Sequence, residues 1–483
     1  MSVQPAAPRN AAAAPSRAKP VATPTPPEAT PPAAQPAIAR KGLTQLKLDN
    51  GTTVLLDAIP GAEVVDIALA VKAGSLQDFP GKAGGAHLIE HMFFGGTPTR
   101  PGPQINKEMD SQGGQGNAST TLSNITFTTS VPNAEASNAL SLFTDIFTHP
   151  NSDPAELAKE KSIVEQELQE GLSRGAEAYY ENDRLLLGDQ PLSSDVGGTV
   201  RTVRAIEPAD ITAYSDKYFT GKNTVVVLSG DPSTFDVDLL KKTIGKLPAG
   251  TAVDNSKLFQ GFRKGALVEV VPDETTQQTS LSITFPGVKK SDPLRPAAQV
   301  LGTLMGGGLS SRLNNRLRER DQITYGINAS NSSGAEYGAF EIGTSLSNKN
   351  LRFGMTEIID ELRDAITDIS DTEVERARRQ TMNQLTMQGA KPGVAISSAI
   401  STALTGRPAT TARELREAVS KVTTEQVRAA AKQVFDFNEM KVLAHGNLTD
   451  SAPIHQGLAD AKVGVKLIDV PFDEQRYIDK VAP

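Results

Sequence analysis

One stretch of this chain occurs twice, and the repeat constrains the fold more than any other feature. Residues 203–231 align without gaps with residues 419–447, at an offset of 216 positions that pairs Gly230 with Gly446. In each copy an amphipathic run leads into a short apolar run, which is the pattern of a helix that enters a buried strand. A repeat at this spacing predicts two homologous domains produced by an internal duplication.

Strand-like and helical patterns alternate along both copies, so we expect an α+β fold. Residues 43–48, 53–56 and 64–71 have the composition of strands, and Asn50-Gly51 is typical of the tight turn of a hairpin. Residues 135–147 and 155–172 have the periodicity of helices. We expect the two domains at about residues 41–258 and 266–474, joined by a linker at 259–265 and followed by a tail at 475–483.

Composition limits the compartment and the partners. Residues 1–40 contain ten prolines and thirteen alanines and cannot bury a core, so we expect a disordered tether there. They lack the apolar segment of a signal peptide. Such a start would suit an exported protein seen without its signal, and we therefore expect a periplasmic location. The absence of cysteine excludes disulfides, thiol catalysis and cysteine-ligated metal.

The charge balance argues against two classes of partner. The chain has 49 basic and 56 acidic residues, mixed along its length, and a net charge of −7. No basic block indicates a nucleic-acid partner or an anionic membrane surface. We find no run of about 18 apolar residues, so no transmembrane segment is predicted.

The sequence His87-Leu-Ile-Glu90-His91 places three catalytic side chain types on one face of a predicted helix. Residues four apart lie about 40° apart around a helix, and Glu90 falls beside the two histidines. Imidazole nitrogens are good zinc ligands, and a carboxylate that does not bind the metal can act as base for metal-bound water. Manganese or cobalt would also suit such donors. The alternative is an ordinary amphipathic helix, and a third ligand is needed.

An acidic helical segment supplies candidates for that ligand. Glu160 and Glu167 are seven residues apart and therefore share a helix face, with Ile163 and Val164 as an apolar flank. The alternative is a solvated acidic surface. At the repeat offset, Thr303, Gly306 and Gly307 stand opposite the histidine motif, so the second copy is expected to lack a metal site.

The chain resembles the pitrilysin-like inverzincin metallopeptidases, especially the short two-domain branch that includes mitochondrial processing peptidase and bacterial zinc proteases. The resemblance covers nearly everything after residue 40. It implies a largely antiparallel mixed sheet flanked by helices in each α/β sandwich domain. It also implies that His87, His91 and Glu167 bind zinc, that Glu90 is the base, and that Glu160 supports the site. Glu167 lies 76 positions after His91, which is the spacing of that family.

Two further segments are similar to motifs of this family. Residues 113–120 match a Gly-Gly-x-x-Asn-Ala-x-Thr segment, which implies that Asn117 and Ala118 lie on an edge strand that binds an extended substrate peptide. The alternative is a plain strand start or a glycosylation sequon. Residues 306–325 match a second-domain signature, which implies that Arg318 and Tyr325 hold substrate and stabilise the oxyanion. Without the resemblance they would be a surface arginine and a core tyrosine.

In the short branch two chains form a clam-shell chamber, and each supplies the arginine and tyrosine for the other's zinc. The resemblance therefore implies a homodimer, or a heterodimer with a homologous subunit. The leading hypothesis is a zinc endopeptidase that hydrolyses peptides or unfolded protein segments. The alternatives are a noncatalytic scaffold subunit of the same fold and a protease dedicated to one peptide precursor.

Overall fold

The computed structural model describes residues 43–113, 116–173, 176–255, 258–389, 397, 400, 401, 403, 404 and 412–482. The tether predicted at residues 1–40 lies outside the described residues. Within the described part of the chain, no helix combines the length and the apolar character that crossing a membrane requires.

A six-stranded sheet is built from the first half of the chain, here residues 43–255. Its inner strands β3 and β6 are almost entirely buried, whereas β5 near the edge alternates buried residues with more exposed ones. The strands pair in the order β1-β2-β6-β3-β5-β4, and only the β2–β6 pair is parallel. They are β1 Leu43–Lys47, β2 Thr53–Ala58, β3 Val64–Val71, β4 Asn117–Thr120, β5 Ile125–Pro132 and β6 Thr224–Gly230.

A second six-stranded sheet belongs to the second half, residues 258–482, and repeats this pattern. The order is β12-β7-β11-β8-β10-β9, with β7 parallel to both β11 and β12 and the other pairs antiparallel. Its strands are β7 Leu267–Pro272, β8 Thr279–Gly287, β9 Ile327–Ser333, β10 Gly338–Leu346, β11 Lys441–Gly446 and β12 Ile468–Val470. The predicted α+β fold with two homologous, mixed and largely antiparallel sheets is confirmed.

Helices cover the sheets of both halves. The first half contains α1 Gly85–Met92, α2 Gly102–Ser111, α3 Ala136–Thr148, α4 Pro154–Ser173, α5 Ala176–Leu187, α6 Val200–Arg204, α7 Pro208–Tyr218 and α8 Val237–Lys242. The second half contains α9 Arg295–Gly306, α10 Leu351–Ala365, α11 Asp371–Gly389, α12 Ala412–Ser420, α13 Thr424–Val434, α14 Ala452–Asp460 and α15 Glu474–Val481. The predicted tail therefore contains a helix.

The repeated segments form equivalent elements. In the first copy α7 leads into β6, and in the second copy α13 leads into β11. Both strands lie in the middle of their sheets, where almost every residue is buried. This is why the repeat is readable in the sequence: both copies need the same apolar run at the same distance from the same helix.

A helix from each half packs against the sheet of the other half. Leu185 of α5, from the first half, packs against Leu267, Val271 and Leu443 of the second sheet. In return, Ile400 and Leu404 of the second half cover one face of the first sheet. The strand residues in that contact are Leu55, Ala68, Ala70, Val225 and Val227. This exchange was not predicted, because the sequence of each helix indicates burial but does not indicate which sheet the helix will cover.

Candidate metal centre

Helix α1 carries the histidine motif because its two faces differ in polarity. Leu88, Ile89 and Met92 are almost fully buried in the core of the first half, while the motif side chains stay partly exposed. The helix begins after Gly84, whose φ of +90° favours glycine. A Cβ at Gly84 would also lie 2.4 Å from a neighbouring backbone oxygen. Core packing therefore fixes the rotation of α1 about its own axis, so that His87, Glu90 and His91 face away from the core.

An acidic side chain from the preceding loop fixes the start of α1. Asp78 accepts hydrogen bonds from the backbone nitrogens of Gly84 at 2.8 Å and Ala86 at 2.7 Å. Burial raises the pKa of Asp78 to about 7, and these backbone hydrogen bonds oppose the rise. A carboxylate at a helix N-terminus satisfies amides that have no partner within the helix. Asp78 was not predicted; an acid shortly before a glycine-led helix is the weak signal that was available.

Helix α4 presents the acidic residues to α1. Its buried stripe consists of Leu157, Val164 and Leu168, and Glu160 lies in the same stripe with 8% of its surface exposed. The predicted apolar flank is half right, because Val164 is buried whereas Ile163 is 37% exposed. With this stripe packed inward, α4 and α1 lie against each other.

The structure brings His87, His91 and Glu167 together. One donor atom from each lies within 4.8 Å of the others. The Oε2 atom of Glu167 is 3.8 Å from Nε2 of His87 and 3.5 Å from Nε2 of His91. Donors about 2 Å from a zinc ion in tetrahedral directions are about 3.3 Å apart, so this spacing fits one ion. Among the described residues, this is the one group of histidines and acids that fits a metal.

Burial keeps the His87 imidazole in the neutral form that binds metal. Burial and, to a lesser extent, the neighbouring His91 lower the pKa of His87 to about 4. His87 is therefore neutral at physiological pH, with a lone pair free on one nitrogen. The His91 Nδ1 lies 3.1 Å from Oε2 of Glu160, so its Nε2 is directed toward Glu167. Glu160, predicted to support the site, does contact a predicted ligand.

Glu90 lies beside this group and is held by the edge strand. Its Oε2 accepts a hydrogen bond of 2.5 Å from the hydroxyl of Thr120, the last residue of β4. Burial raises the pKa of Glu90, and the Thr120 hydrogen bond opposes that rise. The role of Thr120 was not predicted, because its partner is thirty residues away across the sheet edge.

Strand β4 is the free edge of the first sheet. Asn117 pairs with Thr128 and Ala118 with Phe127, both on β5, and no described strand pairs with the other side of β4. Asn117 is exposed and Ala118 is half-buried. An extended peptide can complete such an edge through backbone hydrogen bonds.

Arg318 and Tyr325 lie together in the second half. Arg318 belongs to the wide-turned helical segment Asn314–Arg320, and its guanidinium carbon is 5.3 Å from the centre of the Tyr325 ring. Tyr325 is 90% exposed, so it is not a core tyrosine. In the described part of the chain, neither residue forms a hydrogen bond or ion pair with His87, His91 or Glu167. The structure therefore pairs these two residues but does not join them to the donor group.

Two family descriptions match separate parts of the sequence. Insulinase (Peptidase family M16) matches residues 53–182, and Peptidase M16 inactive domain matches residues 205–381. The chain belongs to peptidase family M16. The histidine motif and Glu167 lie within the first match, and the second match falls mainly on the repeat copy without a histidine motif.

Sequence relatives extend this M16 assignment over most of the chain. A protein of Rickettsia bellii, named an uncharacterized zinc protease, is 29% identical over 71% of this chain and 82% of its own length. A Bacillus subtilis protein with the same description is 27% identical over 83% of this chain and 98% of its own length.

Solved structures share the fold. A peptidase M16 inactive-domain structure from Pseudomonas fluorescens superposes with a TM-score of 0.76 at 20% identity, covering 84% of this chain and 98% of that one. The periplasmic protease PqqL of Escherichia coli gives a TM-score of 0.73 at 19% identity, covering 89% of this chain and 51% of that one. At these identities the likeness describes the fold.

Proposed function

We propose that this M16 chain is a zinc-dependent endopeptidase that hydrolyses peptides or unfolded protein segments. The observation that carries the proposal is the convergence of two imidazole nitrogens and one carboxylate oxygen, with Glu90 beside them. Three protein donors that leave one position open are typical of catalytic rather than structural zinc. The names of the sequence relatives support the same class of activity.

His87, His91 and Glu167 would hold the metal. Bound zinc supplies a Lewis acid that lowers the pKa of water and polarises a carbonyl oxygen. Glu90 takes the proton of the attacking water on its carboxylate and later delivers it to the leaving amine. Thr120 holds that carboxylate by donating to Oε2, so the base is oriented before substrate arrives.

We infer that the substrate peptide lies along β4 as an added strand. The strand is open on one side, and its last residue contacts Glu90. Backbone pairing positions the scissile bond with little dependence on side chains, since main-chain groups supply most of the contact. Asn117 and Ala118 would then set the register of the peptide.

We propose that Arg318 and Tyr325 complete the centre of a second copy of the chain. Tyr325 is exposed and Arg318 is half-buried, and their contact with each other gives a cation and a phenol donor that could meet the negative charge developing on the substrate. The chain carries both sets of residues, so a homodimer would be self-sufficient; a homologous subunit could replace one copy.

Mixing two inactive variants tests this arrangement. Glu90→Gln lacks the base and Arg318→Ala lacks the cation, so a mixed dimer would contain one complete site if Arg318 acts on the partner. Random pairing of equal amounts is expected to restore about a quarter of the unmodified activity. Absence of any restoration in a dimer that has exchanged subunits would contradict the proposal.

A chelator experiment tests the proposed activity itself. The chain is expected to cleave a quenched unstructured peptide, to lose that activity in a chelator, and to regain it with stoichiometric zinc. Metal analysis of the active protein is expected to give one zinc per chain. Cleavage that continues without metal would refute the proposal.

We also propose a periplasmic location, which the periplasmic PqqL fold relative supports. Fractionation of cells tests this location.

A further inference from the structure

A loop of the first half, residues 195–198, lies between the two helices that carry the donors. A Cβ at Gly198 would lie 2.2 Å from the carbonyl oxygen of Ala83, immediately before α1. A Cβ at Gly197 would lie 3.1 Å from the Leu168 side chain, next to Glu167 on α4. Contact this close leaves the backbone little room, so the loop is fixed against both helices.

Asp195, the first residue of this loop, is held by the end of the chain. One carboxylate oxygen accepts a hydrogen bond of 3.0 Å from the backbone nitrogen of Gly197. The other lies 2.6 Å from Nζ of Lys480, which is buried. Lys480 belongs to helix α15, and that helix packs against α4 and α6. The C-terminal helix of the second half thus reaches the metal centre of the first.

The two histidines differ in their second ring nitrogen. Nδ1 of His91 lies within hydrogen-bond distance of Oε2 of Glu160. The Oε1 atom of the same carboxylate is 3.1 Å from Nζ of Lys159. Nδ1 of His87 is buried, and no described residue forms a hydrogen bond with it. A metal-binding histidine nearly always donates its second N–H to a carboxylate, carbonyl or water. The loop that begins at Asp195 lies beside the first turn of α1, because a Cβ at Gly84, three residues before His87, would lie 2.4 Å from the carbonyl oxygen of Gly197.

We propose that Asp195 is a positioning residue of the metal centre. It accepts the Nδ1 proton of His87 when Nε2 binds the metal, as Glu160 does for His91, and Lys480 fixes its carboxylate. Each ligand histidine then has a carboxylate that is itself paired with a lysine. Glu160 and Lys159 of α4 serve His91, and Asp195 with Lys480 of α15 serves His87. This inference rests on the zinc site proposed above.

Zinc affinity, measured by competition with a chromophoric chelator on the full chain, tests the role of Asp195. Asp195→Asn is expected to weaken zinc binding about 10- to 100-fold, the usual effect of removing such a partner, and Asp195→Glu to recover part of it. The matched control is Asp189→Asn. It breaks the exposed ion pair of 3.0 Å between Asp189 and Arg476, which also joins this region to α15. The control is expected to bind zinc within twofold of the unmodified chain.

Epistasis tests the role of Lys480. Lys480→Met is expected to weaken zinc binding, and to have no further effect in the Asp195→Asn background, because it acts through that carboxylate. A lower melting temperature with unchanged zinc affinity in both single variants would show a merely structural pair and overturn the inference. Failure of the unmodified chain to bind zinc would instead refute the metal site itself.

Discussion

Replacing Glu90 with glutamine separates the base from the ligands. Glutamine has the same shape, and its oxygen can still accept the hydrogen bond that Thr120 donates to Glu90. The donors of His87, His91 and Glu167 are unchanged. Burial disfavours the ionised form of Glu90, as its raised pKa shows, so a neutral amide is not expected to destabilise the fold.

The size of the effect follows from the chemistry that is removed. A positioned general base contributes about 10²- to 10⁴-fold to a rate. At about 1.4 kcal/mol per factor of ten, this corresponds to about 3–5 kcal/mol of transition-state stabilisation. We expect kcat to fall by that factor while KM changes little, because β4 and its contacts remain.

The assay follows cleavage of a quenched peptide together with zinc content and melting temperature. The control is Glu63→Gln, which removes an exposed glutamate just before β3, outside α1, α4 and β4, and is expected to leave the rate unchanged. Zinc content and melting temperature of Glu90→Gln should match the unmodified chain. A variant that keeps more than about a tenth of the rate would refute the role of Glu90 as base. Loss of zinc would show that it is a ligand.

Three further results are expected. Leu404→Ala should lower the free energy of unfolding by about 2–4 kcal/mol in denaturant titrations, because it opens a cavity against the first sheet, and a loss below about 1 kcal/mol would contradict that packing. Burial and the charge of Glu181 raise the pKa of Glu269 from 4.5 to about 8. The folded chain therefore keeps a proton that the unfolded chain releases, so the melting temperature should fall as pH rises from 5 to 8, and Glu269→Gln should flatten this dependence. Removing metal should lower the melting temperature, and zinc should restore it, because a ligand that binds only the folded state stabilises it.

The sequence could predict the parts of the site that depend on local periodicity. His87, Glu90 and His91 share a helix face because residues three and four apart always do, and Glu160 and Glu167 share one because seven residues make two turns. The strands at β1, β2 and β3 were predictable for the same reason, since their apolar residues recur at short range.

The contacts that periodicity does not encode could not be predicted. Asp78 contacts the start of α1 across a loop, Thr120 contacts Glu90 across a sheet edge, and Lys480 of the C-terminal helix contacts Asp195 of the first half. Each of these contacts depends on where tertiary packing places the backbone. The residue pattern of one segment therefore does not predict which residue its side chain will contact. The same applies to α5, whose apolar residues indicate burial but not which sheet they cover.

Because each half packs a helix against the sheet of the other, we expect the two halves to move together. Pulling them apart would withdraw Leu404 from β2, β3 and β6 and Leu185 from β7 and β11, and would wet both apolar faces at once. Cutting the linker near residue 260 would therefore not release two separate pieces.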